Sequence, residues 1–137
     1  MEDFSERKRI QKVVCLLELF GLDMGFNFTW YHYGPYSPDL TRTLFELADK
    51  NTSRGGRLNA QEENQIEAFK KFVGDDLKSS DAMELLGSLF FLDKVGKNSN
   101  ATDEQILSVF KEKKPWFSQE DIANAWSRRS DIEKLWN

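Results

Sequence analysis

The sequence predicts a mainly α fold, a compact single-domain bundle of about six or seven helices over residues 1–137, with one short extended or hairpin element after the first helix. Three observations carry this. Apolar residues recur at helical spacing through most of the chain, so that i, i+3, i+4 and i+7 share a face. Most of these stretches open on Ser, Thr or Asn followed by acidic or amide residues, the chemistry that satisfies the free N–H groups of a helix start. The one departure is Phe26-Asn27-Phe28-Thr29-Trp30, which alternates with period two, and the Gly34-Pro35 break behind it.

The first helix is expected from Phe4 to Phe20, with Ile10, Val13, Val14, Leu17 and Phe20 as its buried stripe and Gly21 as its stop. Cys15 falls on the other side of that helix, either partly exposed or packed on a second neighbour. In the alternating segment Phe26, Phe28 and Trp30 share the face expected to point inward. Gly34-Pro35 turns the chain and Ser37-Pro38-Asp39 restarts a helix: Ser37 as N-cap, Pro38 where no N–H is needed, Asp39 against the helix dipole. Its expected buried positions are Leu40, Leu44, Leu47 and Ala48.

A loop around Gly55-Gly56 leads to a helix that Asn59 caps and that buries Ile66, Phe69, Phe72 and Val73. From Asp81 to Val95, after Ser80, the residues Met83, Leu85, Leu86, Leu89, Phe90, Phe91 and Leu92 occupy nearly the whole circumference, which places this helix at the centre of the core. Thr102-Asp103-Glu104-Gln105 has the capping-box pattern ahead of Ile106, Val109 and Phe110, and Pro115 closes that helix. Ser118 opens the next through Ile122, Ala125 and Trp126, and Ser130-Asp131-Ile132-Glu133 opens a last turn that ends in Leu135 and Trp136.

Composition excludes several classes. A net charge of −4 argues against a protein whose main work is neutralising nucleic-acid phosphates, because that affinity comes from clustered Lys and Arg. An aromatic content of 13% is too high for a disordered chain. Cys15 is alone, so it has no intrachain disulfide partner and a structural zinc cluster has no ligands. The N-terminal residues are charged and no apolar run reaches membrane-spanning length, so the expectation is a cytoplasmic protein with no membrane association. The Asn-x-Ser/Thr triplets at Asn27, Asn51 and Asn100 then read as chance or capping chemistry.

Functional signal concentrates in Trp30 to Pro38, which gathers four Trp or Tyr rings, the sole histidine and two of the three prolines. Gly34, Pro35, Ser37 and Pro38 have architectural reasons to be there, leaving Tyr31, His32, Tyr33 and Tyr36 as candidate partner-binding residues on a rigid aromatic turn. The competing reading is that the rings plug one end of the core.

The blocks Ile10 to Leu17, Tyr33-Gly34-Pro35-Tyr36-Ser37-Pro38-Asp39-Leu40 and Lys114-Pro115-Trp116-Phe117-Ser118 resemble a family of small bacterial and archaeal proteins called YwgA-like. The central block, preceded by Lys8-Arg9-Ile10-Gln11-Lys12, is more distantly similar to the Panacea (SocA-like) antitoxin domain, with Trp30 one residue further from Gly34 than in that pattern. The Panacea resemblance implies neutralisation of a toxin by direct binding, or its presentation to a protease. The YwgA-like resemblance carries no established activity with it.

Other constellations are weaker. Cys15 and His32 lack the surroundings that activate a thiol. The pairs Glu46 with Asp49, Glu62 with Glu63 and Asp75 with Asp76 have no His partner or Asp-x-Asp loop, so they read as solvated surface. Arg54-Gly55-Gly56-Arg57 lacks the Gly-Lys-Ser/Thr of a phosphate loop. Thr102 to Asn137 has the order of a helix-turn-helix, with Arg128 and Arg129 placed to meet phosphates, but Ser127 stands where glycine is usual and Arg128 and Glu133 where apolar residues pack. The expectation is a non-enzymatic interaction module, antitoxin-like or adaptor-like, with no cofactor and no metal, that binds a protein partner such as a toxin. The alternative is a DNA-binding regulator using Arg128 and Arg129.

Overall fold

The structure is a computed structural model and describes residues 4–22, 25–31, 34–43 and 60–130. It is mainly helical with one short antiparallel hairpin, as the periodicity predicts. Helix α1 spans Phe4–Leu19 and is followed by β1, Thr29–Tyr31, and β2, Gly34–Tyr36. Residues 38–43 are helical and begin α2. Helix α3, Ala60–Val73, runs into a 3-10 turn at Gly74–Lys78. Then come α4, Ser80–Asn98, α5, Asp103–Lys113, and α6, Gln119–Trp126.

Local chemistry sets these boundaries. α1 ends in a paired C-terminal motif: the Gly21 N–H donates to the Glu18 carbonyl at 3.0 Å and the Leu22 N–H to the Leu17 carbonyl at 3.1 Å. That motif needs a left-handed residue, and Gly21 supplies φ +97°. α4 ends the same way with Asn100 at φ 62°, the side chain that best tolerates this conformation after glycine. Ser79 caps α4, one residue ahead of the expected start, by accepting from the Ala82 N–H. Thr102 and Gln105 form the predicted capping box of α5, and Ser118 caps α6. Ser37 Oγ accepts from the Leu40 N–H at 3.3 Å, so Ser37-Pro38 starts a helix as expected.

α4 is the central helix, packed against α1, α5, α6, the 3-10 turn and β2. The core joins Leu16, Leu19 and Phe20 to Phe69 and Val73, to Met83, Leu86, Leu89 and Phe90, and to Ile106, Phe110, Ile122, Ala125 and Trp126. Phe20 meets Phe69 and Phe72 edge-on, with centroids 5.7 and 5.0 Å apart. The 26–30 alternation holds, with Phe26, Phe28 and Trp30 half-buried and Asn27 and Thr29 exposed.

Two expectations are corrected. Of the predicted stripe of α1, Phe20 is buried but Ile10, Val13, Val14 and Leu17 are only half-buried, and the face turned fully inward carries Gln11, Lys12, Cys15, Leu16 and Leu19. The reason is polar contact. Gln11 and Lys12 lie under β2 and against α4, where they meet groups that apolar periodicity does not register. Val109 is exposed, because α5 buries only Ile106 and Phe110 fully. The expected positions Leu44, Leu47, Ala48, Asn59, Leu135 and Trp136 lie outside the described residues.

The hairpin pairs Thr29 with Tyr36, Trp30 with Pro35 and Tyr31 with Gly34. It is held down at its β2 end. The Gln11 side-chain amide accepts from the Ser37 N–H at 2.9 Å and donates to the Ser37 carbonyl at 3.1 Å, imitating one rung of a β-ladder. Gly34 has φ +105°, and a Cβ there would stand 2.5 Å from Ser88 Oγ and 3.1 Å from Lys12 Cε. Gly34→Ala is therefore expected to cost about 2 kcal/mol or more, from left-handed strain plus overlap. In a Ser88→Ala background, where the nearest overlapping atom is gone, part of that loss returns. Urea unfolding of the two single variants and the double variant checks both statements; equal losses in the two backgrounds would show that the approach to Ser88 is not tight.

Candidate functional site: a lysine cluster beneath the aromatic hairpin

α1 places Lys8 and Lys12 one turn apart on one face, and α4 places Glu84 and Ser88 at the same spacing on the face that meets α1. Lys114, just past the end of α5, completes the group. Its ammonium donates to Glu84 Oε2 at 2.9 Å, and Lys8 Nζ stands 3.4 Å from Glu84 Oε1. One carboxylate is thus shared between two ammonium groups. Lys12 is 2% exposed and Lys114 1%, whereas the Lys8 side chain is 23% exposed and marks the solvent edge.

Among the described residues no carboxylate lies within ion-pair distance of Lys12. Burial is the main influence on its ammonium, with further repulsion from Lys114 and Lys8 only partly offset by Glu84 and Cys15, and its pKa falls from 10.5 to about 8. The Ser88 hydroxyl is fully buried and has no hydrogen-bond partner among the described residues. A buried ammonium with no carboxylate at ion-pair distance and a buried hydroxyl with no hydrogen-bond partner among the described residues, side by side against Gly34, cost stability. Such costs concentrate at functional sites.

Aromatic rings join the cluster to the surface. The Lys114 ammonium lies 5.5 Å from the centroid of Trp30 and 5.1 Å from that of Trp116, and Lys113 lies 5.7 Å from Trp30. Trp30 packs its ring on Phe91, with centroids 6.4 Å apart. Trp116 is 62% exposed, a large apolar surface left in water beside a charged rim.

Of the sequence candidates, Tyr36 is half-buried and its hydroxyl accepts from Thr41 Oγ1 at 3.0 Å, which in turn accepts from Gln11 Nε2 at 2.7 Å. The side chain of Tyr31 and the residues His32 and Tyr33 lie outside the described residues. Arg128 pairs with Asp76 at 3.2 Å and covers Phe72, and Arg129 pairs with Asp103 at 3.4 Å and covers Trp126. Both guanidinium groups of the DNA-binding alternative are engaged within the fold. A hydrogen bond from Lys97 holds the Asp103 carboxyl below the usual carboxylate range.

Cys15 lines a recess of about 260 Å³ with Phe26, Phe28 and Phe91. Burial pushes its thiol up to about 12, so the nucleophilic thiolate is scarce at neutral pH. Among the described residues no group of three or more His, Cys, Asp or Glu could hold a metal ion. Glu62 and Glu63 sit in the first turn of α3, where they complement its dipole.

Comparison with known protein families, curated proteins and solved structures finds no match to this chain.

Lys12→Met is expected to raise stability by about 2 kcal/mol near pH 7, since it removes an uncompensated buried charge and keeps the side-chain volume. The pH dependence follows from the sign of the shift. The folded chain binds the Lys12 proton more weakly than the unfolded chain, so the wild type recovers stability between about pH 8 and 10.5, and the variant's advantage narrows over that window. Cys15 acts oppositely above pH 9, where only the unfolded chain readily loses its proton, but it is present in both proteins. Thermal unfolding of the pair from pH 6 to 10.5 measures the difference. An advantage that stays constant across this range would contradict the assigned titration.

Proposed function

We propose that this chain is a non-enzymatic protein-interaction module, antitoxin-like or adaptor-like, that binds a protein partner through the surface around its aromatic hairpin. The observation that carries the reading is Trp116, exposed, with the Lys114 ammonium 5.1 Å from its ring and 5.5 Å from that of Trp30. Tryptophan flanked by cations is the composition of interface anchors: one large ring to desolvate, with polar groups to orient the partner. A platform must also be rigid to bind well, because ordering loose side chains consumes affinity. Here the Gln11 pairing to Ser37 and the close seating of Gly34 supply that rigidity.

The resemblance of the Tyr33 to Leu40 block to YwgA-like and Panacea domains supports the same reading, with a toxin as the antitoxin-like partner. Binding would act by occlusion or presentation and would require no chemistry of its own. Tyr31 and Tyr36 belong to the hairpin strands, His32 and Tyr33 follow Tyr31 in the sequence, and Trp116 extends the proposed surface toward the end of α5. The DNA-binding alternative draws less support, since Arg128 and Arg129 are each paired with a carboxylate.

Trp116→Ala removes the exposed ring with little effect on packing. Quantitative pull-downs from native lysate are expected to lose the partner recovered by wild type by about thirtyfold in affinity, the effect of an interface anchor, while the melting temperature stays within about two degrees. Equal recovery by a folded Trp116→Ala protein would remove this surface as the contact. Retention of the wild type on genomic DNA with steep salt dependence, lost in an Arg128→Gln, Arg129→Gln double variant, would favour the alternative.

A further inference from the structure

We propose that the groove between the start of α4 and α6 takes an arginine side chain of the protein partner. The inference rests on the interaction reading above and names a chemical group that the partner must bring. Shape is the first argument. The groove has a volume of about 430 Å³ between the 3-10 turn, α4 and α6, within the size range of clefts that hold a ligand group. Its lining divides by depth: Leu86 is buried, Leu85 and Phe117 are half-buried, and Asp81, Asp121 and Asn124 are exposed. A partner side chain therefore reaches the apolar floor from solvent, without any opening of the fold.

Charge is the second argument. The lining carries three carboxylates, Asp76, Asp81 and Asp121, against one guanidinium, that of Arg128. Arg128 is taken up by Asp76 at 3.2 Å, and among the described residues neither Asp81 nor Asp121 has a Lys or Arg within ion-pair distance. Each of these two carboxylates complements the dipole of its own helix, which accounts for its place in a first turn. It does not account for two helices bringing them to one apolar groove. An acidic rim over an apolar floor complements a long side chain with an apolar stem and a cationic end.

Arg128 shows which cation suits the place. While lining this groove, its guanidinium pairs with Asp76 and covers the Phe72 ring, 5.2 Å from the centroid. An incoming guanidinium meets the same combination in Asp81, Asp121 and the half-buried Phe117. A planar, weakly hydrated guanidinium gains from both contacts, whereas the compact ammonium of lysine holds its water more strongly. The groove also adjoins the surface already proposed, since Phe117 lines it and Trp116 packs on Phe117 with centroids 6.1 Å apart. With Lys114 5.1 Å from the Trp116 ring, both signs of charge surround one anchor, a pattern that fixes the partner's orientation.

The test is isothermal titration calorimetry of the full chain at low salt with capped hexaarginine as the probe and capped hexalysine as the comparison. Because the chain carries −4, a control must separate the groove from general attraction. The double variant Asp81→Asn, Asp121→Asn removes the two groove carboxylates, and Glu63→Gln, Glu104→Gln removes the same charge from the first turns of α3 and α5. Hexaarginine is expected to bind at least about threefold more tightly than hexalysine, and to lose at least about tenfold in the groove variant but less than about threefold in the control. Each single groove change is expected to cost about threefold, so the outcome does not hang on the folding of the double variant. Absence of hexaarginine binding, a loss in the control as large as in the groove variant, or hexalysine binding as tightly as hexaarginine would each overturn the assignment. Partner capture that still requires Trp116 but is unchanged by Asp81→Asn, Asp121→Asn would sink this inference alone, whereas capture independent of Trp116 would sink the interaction reading.

Discussion

Most of what is distinctive in this protein depends on how β2 and the residue after it lie against α1 and α4. The Gln11 side chain treats Ser37 as a neighbouring strand would, accepting from its buried N–H and donating to its carbonyl, which also accepts from the Thr41 N–H at 3.2 Å. The same amide nitrogen donates to Thr41, linking the first turn of α2 to α1. With that end fixed, Gly34 settles against Lys12 and Ser88, and Pro35 is fully buried. Trp30, opposite Pro35 in the hairpin, is thereby carried over Phe91 and beside Lys113 and Lys114.

This seating has an energetic consequence. A helix face normally buries apolar surface for about 25 cal/mol per Å², and here one turn of α1 buries an amide and an ammonium instead. The amide is satisfied. The ammonium is not matched by a carboxylate of its own, and the surrounding core has to offset that deficit. α4 is equipped to do so, with Met83, Leu86, Leu89 and Phe90 facing several elements at once. The central helix therefore does two things: it carries the core and it presents Glu84 and Ser88 to the polar seam.

The bundle, its single hairpin and most helix starts were legible because they depend on local chemistry. Thr102 with Gln105, Ser118, and Ser37-Pro38 act on backbone groups within a turn, so sequence spacing alone identifies them. The polar seam was less legible. Apolar periodicity puts Ile10, Val13, Val14, Leu17 and Phe20 on the buried face of α1, which holds at Phe20 alone, and it overlooks Gln11 and Lys12, because it ranks residues by hydrophobicity and not by available partners. A signal did exist. Lys8 with Lys12 and Glu84 with Ser88 repeat at four residues, and Glu84 and Ser88 interrupt a helix apolar almost all round, where a polar residue has little solvent to face. The aromatic concentration at Trp30 to Pro38 pointed to the right neighbourhood but not to Lys12, Glu84 or Lys114.

The sequence by itself determined the elements: mainly helical order, the stop at Gly21, the hairpin's inward aromatic face, and the absence of paired cysteines. These follow from torsional preference, capping and side-chain period, all of which act over a few residues. Only the tertiary structure decided that Lys12, Glu84 and Lys114, separated by 72 and 30 positions, share one buried site, and that Arg128 and Arg129 are engaged by Asp76 and Asp103. The physical reason is that charge pairing and desolvation depend on distance in space, which is set by how helices pack and is not encoded in the spacing along any one of them.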